Sequence, residues 1–232
     1  MIATPAIVLH TTPYGETSVI VKVFTRLIGV RSYVIKGVRG RNARVKQNLL
    51  QPLTFLDMVV YDNPKADLNY VKELSPRGAC LENAPVENAL RFFMTEVLYK
   101  SLQEAEPMPA LFDYVESVQP CPALPISFLL TVARHLGIEP LDNCCNAEPL
   151  FDLQEGRFVS SATETTLSPQ LSTMLHEYLL SSHTTLLPGE GPGMRPLQSR
   201  RALIDALLAY YQMHLTTFRH FTSHEILHTV LK

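Results

Sequence analysis

Three groups of residues in this 232-residue chain are of types that could do chemistry. The first is residues 29–47, GVRSYVIKGVRGRNARVKQ, which carry Arg31, Lys36, Arg39, Arg41, Arg44 and Lys46 with no carboxylate among them. On a chain of net charge −2, six clustered cations point to a polyanionic partner, the alternative being a solvated loop whose cations serve solubility. The second is His224-Glu225-Ile226-Leu227-His228, a literal H-E-x-x-H, in which two histidines one helical turn apart could bind zinc while the glutamate activates water. The third is the adjacent pair Cys144 and Cys145, which could serve as thiolate metal ligands.

Spacing weakens the second and third groups. The histidine motif stands four residues from the end of the sequence, so a third ligand would have to come from upstream, where His183, His214 and His220 are only loosely placed for it. The reading preferred is an amphipathic terminal helix with Ile226, Leu227, Val230 and Leu231 inward and the histidines outward or at a rim. Adjacent thiols do not form the usual C-x-x-C chelate loop. Neither a G-x-x-x-x-G-K-[ST] phosphate loop nor a G-x-S-x-G elbow is present, and the GEGPG at 189–193 reads as a proline-broken loop. Cys80 and Cys121 read as core residues. The expectation is a protein without catalytic residues, metal or cofactor.

The elements that must position the cations follow from composition and periodicity. With 46% apolar and 18% charged residues the chain has globular composition, and no apolar window reaches the length of a membrane span. No signal-peptide pattern opens it, and four cysteines do not make a disulfide framework, so a reduced cytoplasmic setting is expected. Charge is unevenly divided. Residues 1–79 hold 11 Lys/Arg against 5 Asp/Glu, residues 80–190 hold 4 against 15, and residues 191–232 hold 5 against 2. A basic head and an acidic body suggest two modules, 1–79 and 80–232, with different partners.

In the first module, apolar residues alternate over 6–10, 18–25, 30–36, 53–61 and 68–74, with turns at Thr12-Pro13-Tyr14-Gly15 and Asp62-Asn63-Pro64. Five short strands without room for crossover helices predict a small antiparallel barrel. Such a barrel suits single-stranded nucleic acid, with cations tracking the backbone and rings stacking on bases. Strand spacing pairs Lys22 with Phe24 and Arg31 with Tyr33. The two rings read equally well as core, so the cations are the candidates.

From about residue 85 the period becomes 3.6. Stripes at Val86, Leu90, Phe93, Met94 and Val97, at Leu111, Phe112, Val115 and Val118, and over 126–136 predict three helices, the third central in the core. Ser168-Pro169 predicts the capped start of a fourth, 203–214 a long fifth, and Ser223 the cap of a last one. An irregular insertion at 140–167 and a loop at 186–196 interrupt them.

Several short pieces, in order, resemble the RecO family of recombination mediators in bacterial DNA repair. They are Tyr14-Gly15-Glu16, Phe24-Thr25 followed by Gly29, Lys36-Gly37-Val38-Arg39 and Leu50-Gln51-Pro52-Leu53. The resemblance continues through Phe128-Leu129-Leu130 with Gly137, Leu141 and Cys144, and through the 201–214 helix with Ser223 and Leu227, covering essentially the whole chain. It implies an α+β architecture: an N-terminal oligonucleotide-binding (OB) barrel followed by a helical domain. Many members carry two C-x-x-C pairs in the insertion. This sequence has Cys144-Cys145 and, in place of the second pair, Val159-Ser160-Ser161, so no zinc is expected and a hairpin held by Leu150, Phe151, Phe158 and Val159 should stand there.

By its charges the barrel should bind phosphates through Lys22, Arg31, Lys36, Arg39, Arg41, Arg44 and Lys46. The resemblance implies binding of single- and double-stranded DNA, strand annealing, and help in loading RecA onto DNA coated by single-strand-binding protein. It also implies RecR and the acidic tail of single-strand-binding protein as partners. Arg134 is the candidate cation for that tail, with Arg200 and Arg201 after it, although Arg134 also suits the C-terminal end of its helix. The competing readings are a zinc hydrolase using the histidine motif and a protein adaptor that never touches DNA.

Overall fold

The computed structural model of the chain describes residues 1–38, 45–61, 63, 66, 69–78, 84–102, 106–183, 196–218 and 221–230. Where the first module alternates apolar and polar residues, five strands form: β1 (Ile2–Tyr14), β2 (Ser18–Thr25), β3 (Gly29–Ile35), β4 (Phe55–Tyr61) and β5 (Asn69–Pro76). They close a barrel in the order β1-β2-β3-β5-β4, with β4 pairing back onto β1. Four of the five pairings are antiparallel, while β3 and β5 run parallel through Tyr33↔Asn69 and Val34↔Tyr70. This is the five-stranded OB arrangement, with one parallel contact in place of the wholly antiparallel barrel expected.

The first turn forms later than expected. β1 continues through Thr12 and Pro13, which pairs with Val19, and turns only after Tyr14. A register shift between Val8 and His10 bends the strand, so residues 2–7 pair with β4 while 6–14 pair with β2. The interior is filled by Val21, Val23, Tyr33, Leu56, Met58 and their buried neighbours. Each family-like piece of this region contains a residue with positive φ: Gly15, Gly29, Gly37 and Leu53. Left-handed backbone costs a leucine about 1–2 kcal/mol. Leu53 is held there by burial, by its N–H donating to the Val8 carbonyl (2.9 Å) and by the Val8 N–H donating to the Thr54 carbonyl (2.9 Å).

Helices follow where the 3.6 period begins: α1 (Pro85–Ser101), α2 (Pro109–Ser117), α3 (Leu124–His135), α4 (Pro169–His183), α5 (Leu197–His214) and α6 (Ser223–Val230). The chain divides into two compact units, Met1–Asn83 with Leu102–Val118, and Ala84–Ser101 with Gln119–Lys232. α2 therefore belongs with the barrel, though it comes after α1 in sequence. It covers the outward ring of Phe24 with Phe112 (centroids 5.6 Å apart). Arg26 grips Asp113 with two hydrogen bonds of 2.7 and 2.8 Å, and Arg77 bridges Glu116 and Asp57. The Arg26 hydrogen bond holds the Asp113 carboxyl below its ordinary range.

In the second unit α3 is buried on nearly every side, as its apolar composition predicts, and packs on α1, α4 and α5. The insertion forms the expected hairpin, β6 (Leu150–Asp152) with β7 (Arg157–Val159), closed by Phe151 against Phe158. It docks on α5, where the Phe151 ring packs on Tyr210 (centroids 6.1 Å apart) and His214 Nε2 donates to the Leu153 carbonyl (2.9 Å). Tyr210 Oη donates to the Ile138 carbonyl, just before the insertion (2.8 Å). Burial first, and the nearby Glu139 charge second, push the Tyr210 phenol up to about 12.

Ser168 starts α4 as expected, its hydroxyl accepting from the Leu171 N–H at 3.4 Å. Ser223 does not cap α6. Its hydroxyl is buried with no hydrogen-bond partner among the described residues, and the Glu96 carboxylate of α1 takes its place. Glu96 accepts from the Ser223 N–H (2.7 Å) and the Thr222 N–H (3.2 Å). A full negative charge suits a helix N-terminus better than a neutral hydroxyl.

Candidate nucleic-acid interface

The strands of the barrel separate the candidate cations. Register pairs Lys22 with Ser32 and His10, and pairs Arg31 with Val23. Val23 and Tyr33 point into the core, so Arg31 shares the inward side, where its guanidinium turns back to donate to the Val30 carbonyl (2.9 Å). Lys22 lies on the opposite, outward side with Ser32, Val34 and Lys36. Both rings placed beside these cations in the sequence, Phe24 and Tyr33, are fully buried, so they are core residues.

Lys36 and Lys46 are exposed, Lys46 at the entry to a short 3₁₀ turn, Gln47–Leu50. Between them the backbone is pinned at two places. Val38 is buried with its N–H donating to the Thr17 carbonyl (2.9 Å), and the Val45 N–H donates to the Gly37 carbonyl (3.4 Å). Arg39, Arg41 and Arg44, the densest part of the basic run, lie outside the described residues.

Beside Lys36 the barrel surface carries a groove of about 910 Å³ lined by residues of β1, β3, β4 and β5. Its floor is apolar, with Val34, Val59 and Val71, and its charged rim is balanced: Lys36 and Lys72 against Asp57 and Glu73. Both carboxylates are engaged, Asp57 by Arg77 (3.0 Å) and Glu73 by Lys72 (3.4 Å). The Lys36 ammonium stands over the Tyr70 ring, 5.1 Å from its centroid. Tyr70 faces Tyr61 directly across the β4–β5 register, and both rings are exposed. Reading the sequence for rings interleaved with cations passes over this pair. Alternation puts each of the two tyrosines on the polar side of its strand, but their meeting depends on the register between strands.

The cations considered for a protein partner are occupied within the helical unit. Arg134 donates from Nε (2.8 Å) and Nη2 (2.6 Å) to Glu139, five residues on, and this pairing raises its pKa. Arg200 donates to the Pro122 carbonyl, and Arg201 to the His228 carbonyl at the end of α6.

The histidine motif lies on α6 as a structural rim. Leu227 is buried between the partly buried His224 and His228, Glu225 is exposed, and Ile226 is 53% exposed rather than inward. The one apolar stripe of so short a helix is taken by Leu227, and position 226 falls about 100° from it. The two imidazoles meet edge to face at 5.7 Å, and His228 Nε2 lies 3.6 Å from Asp205. Burial lowers the His228 pKa, partly offset by Asp205. His220 and the side chain of His183 lie outside the described residues, and His214 is held on Leu153. Cys145 is exposed and Cys144 partly so, with burial pushing the Cys144 thiol up. Among the described residues no group of three or more His, Cys, Asp or Glu is placed to hold a metal ion, and no helix is long and apolar enough to cross a membrane.

Comparison with known proteins bears on the whole chain. A family model described as "Recombination protein O N terminal" matches residues 1–79, the span of the five strands. A protein named DNA repair protein RecO from Porphyromonas gingivalis strain W83 is 30% identical over 250 aligned positions, covering 99% of each chain. Its namesake from Christiangramia forsetii is 29% identical over 230 positions and 94% of each chain. Another, from Bacteroides fragilis, is 28% identical over 229 positions and 93% of each. Similarity at this level along the whole length, on an OB barrel followed by a helical unit, is that of common descent, and the chain belongs to the RecO family of DNA repair proteins.

Proposed function

We propose that this protein is a non-enzymatic mediator of recombinational DNA repair that binds single- and double-stranded DNA through its barrel. In this reading it anneals complementary strands and helps load RecA onto DNA coated by single-strand-binding protein. RecR and the tail of single-strand-binding protein are its partners, and it works in the cytoplasm on the nucleoid. The observation that carries the reading is an OB barrel whose 79 residues hold 11 Lys/Arg against 5 Asp/Glu, in a chain similar throughout to DNA repair proteins. Phosphate contacts fall to Lys22, Lys36, Arg39, Arg41, Arg44 and Lys46; Arg31, on the inward side and turned back to the Val30 carbonyl, would have to leave that carbonyl to join them. The helical unit, Ala84–Ser101 with Gln119–Lys232, is assigned to protein partners. Since Arg134, Arg200 and Arg201 are engaged internally, an acidic tail would have to displace Glu139 to use Arg134.

The test is a salt-dependent titration of single-stranded DNA with wild type and with Arg39→Glu/Arg41→Glu/Arg44→Glu. Each lost phosphate contact on a single strand flattens the log–log salt slope by about 0.7, so the triple variant should lose about 2 from it. An unchanged affinity and slope removes the loop from the interface. Wild type that binds no DNA at low salt ends the reading.

A further inference from the structure

We infer that Tyr61 and Tyr70, with Lys36 over Tyr70, form a stacking platform on the outward side of β4–β5 for the bases of single-stranded nucleic acid. The inference rests on the proposed DNA-binding role and names the part of the barrel that takes bases rather than phosphates. The two tyrosines are directly opposite in the β4–β5 register and are 50% and 48% exposed. Directly opposed side chains start about 5 Å apart, so the two rings project from neighbouring positions on the same side of the sheet. A single half-exposed tyrosine needs no explanation. Two in register, outward on a barrel whose inward positions are filled by Leu56, Met58 and Val60, present two half-exposed rings beside a charged rim.

The charges around the pair favour nucleobases over a purely electrostatic ligand. The carboxylates of the adjoining groove are paired with Arg77 and Lys72, and among the described residues Lys36 is the cation that stands over Tyr70. An aromatic face repels a phosphate and accepts a base, and the Lys36 ammonium, displaced from over Tyr70 by the stacking base, meets the phosphate that follows it. In a duplex the base faces are already stacked on one another. The platform therefore discriminates single strands from double strands, whereas the basic run does not.

The experiment compares wild type, Tyr61→Leu/Tyr70→Leu and Tyr61→Phe/Tyr70→Phe on three ligands: oligothymidine, an abasic strand of equal length, and a duplex. Stacking is worth roughly 5- to 150-fold per ring, so the leucine variant, which removes two, should lose about 25-fold or more on oligothymidine. It should bind the abasic strand and the duplex as wild type does, with the same salt slope, and the phenylalanine variant should bind all three like wild type. Thermal melting of each variant checks that the barrel is intact. Because the chain contains no tryptophan, Tyr70→Trp adds a single reporter whose emission oligothymidine should quench and the abasic strand should not. A folded leucine variant that binds oligothymidine like wild type overturns the inference and leaves the pair to a protein contact. Equal losses on all three ligands also overturn it. Either result leaves the DNA-binding role standing; failure of wild type to bind any of the three removes both.

Discussion

The barrel unit and the helical unit use their cations in opposite ways. In the barrel, Arg26 and Arg77 fasten α2, but Lys36 and Lys46 stand exposed. In the helical unit Arg134, Arg200 and Arg201 each reach an acceptor of the same unit, two of them backbone carbonyls. A cation tied to a carbonyl or a neighbouring carboxylate is part of the architecture, and removing it leaves a polar group without its partner. An exposed cation contributes little to folding and is available to phosphate. Net charge by segment thus bears on binding only after the internally used charges are set aside.

The sharpest test of this contrast is Lys36→Glu/Lys46→Glu set against Arg201→Met. The double reversal should weaken single-stranded DNA binding at low salt by roughly tenfold to a hundredfold and leave the melting temperature nearly unchanged. Arg201→Met should do the reverse, leaving DNA affinity unaltered and costing about 1–3 kcal/mol in denaturant unfolding. Binding isotherms and unfolding curves on the same preparations check both.

A smaller effect is expected at Glu96. Burial pushes its carboxyl up, but hydrogen bonds from Lys100 and from Ser223 outweigh this and hold it below the ordinary range. A carboxyl with a lowered folded pKa contributes stability in full above its unfolded value, near 4.3, and loses it as pH falls from there through the folded value. Glu96→Gln should therefore cost about 1–2 kcal/mol near neutral pH, with the difference from wild type vanishing in acid. Hydrogen exchange of the α6 amides should rise selectively in the variant.

Gly156→Ala ranks next. Gly156 has φ +69°, and an added methyl would sit 3.1 Å from Tyr210 Oη, so the hairpin should loosen by about 1–2 kcal/mol. Tyr210→Phe should cost about 1 kcal/mol by leaving the Ile138 carbonyl without its donor. Gly156 lies in the insertion and Tyr210 on α5 packs against it, both within the helical unit, so DNA binding should be unaffected while proteolysis near residues 150–160 speeds up. A loss of DNA affinity in either variant would erase the division between the two units.

Much of the fold was legible in the sequence because it depends on local periodicity. Alternation marked all five strands, the 3.6-residue stripes marked the helices, and the two phenylalanines of the insertion marked its hairpin. Resemblance to the family was legible for a related reason: its pieces sit at turns that need positive φ at Gly15, Gly29, Gly37 and Leu53. Those positions identify the barrel and do not identify its ligand contacts. The candidate site was legible in its charge but not in its geometry. The separation of Lys22 from Arg31 needed the β2–β3 register, and the placing of Tyr61 opposite Tyr70 needed the β4–β5 register.

By itself the sequence determined which residues alternate, which form stripes, and where cations outnumber carboxylates. Tertiary structure alone decided that α2 leaves the helical unit for the barrel, and that Glu96 caps a helix beginning 127 residues later. It also decided that the arginines considered for a partner are used internally. The physical reason is range. Backbone sterics and side-chain burial act within a turn or a strand, whereas the choice of partner for a polar group depends on which distant element packing brings within hydrogen-bonding reach.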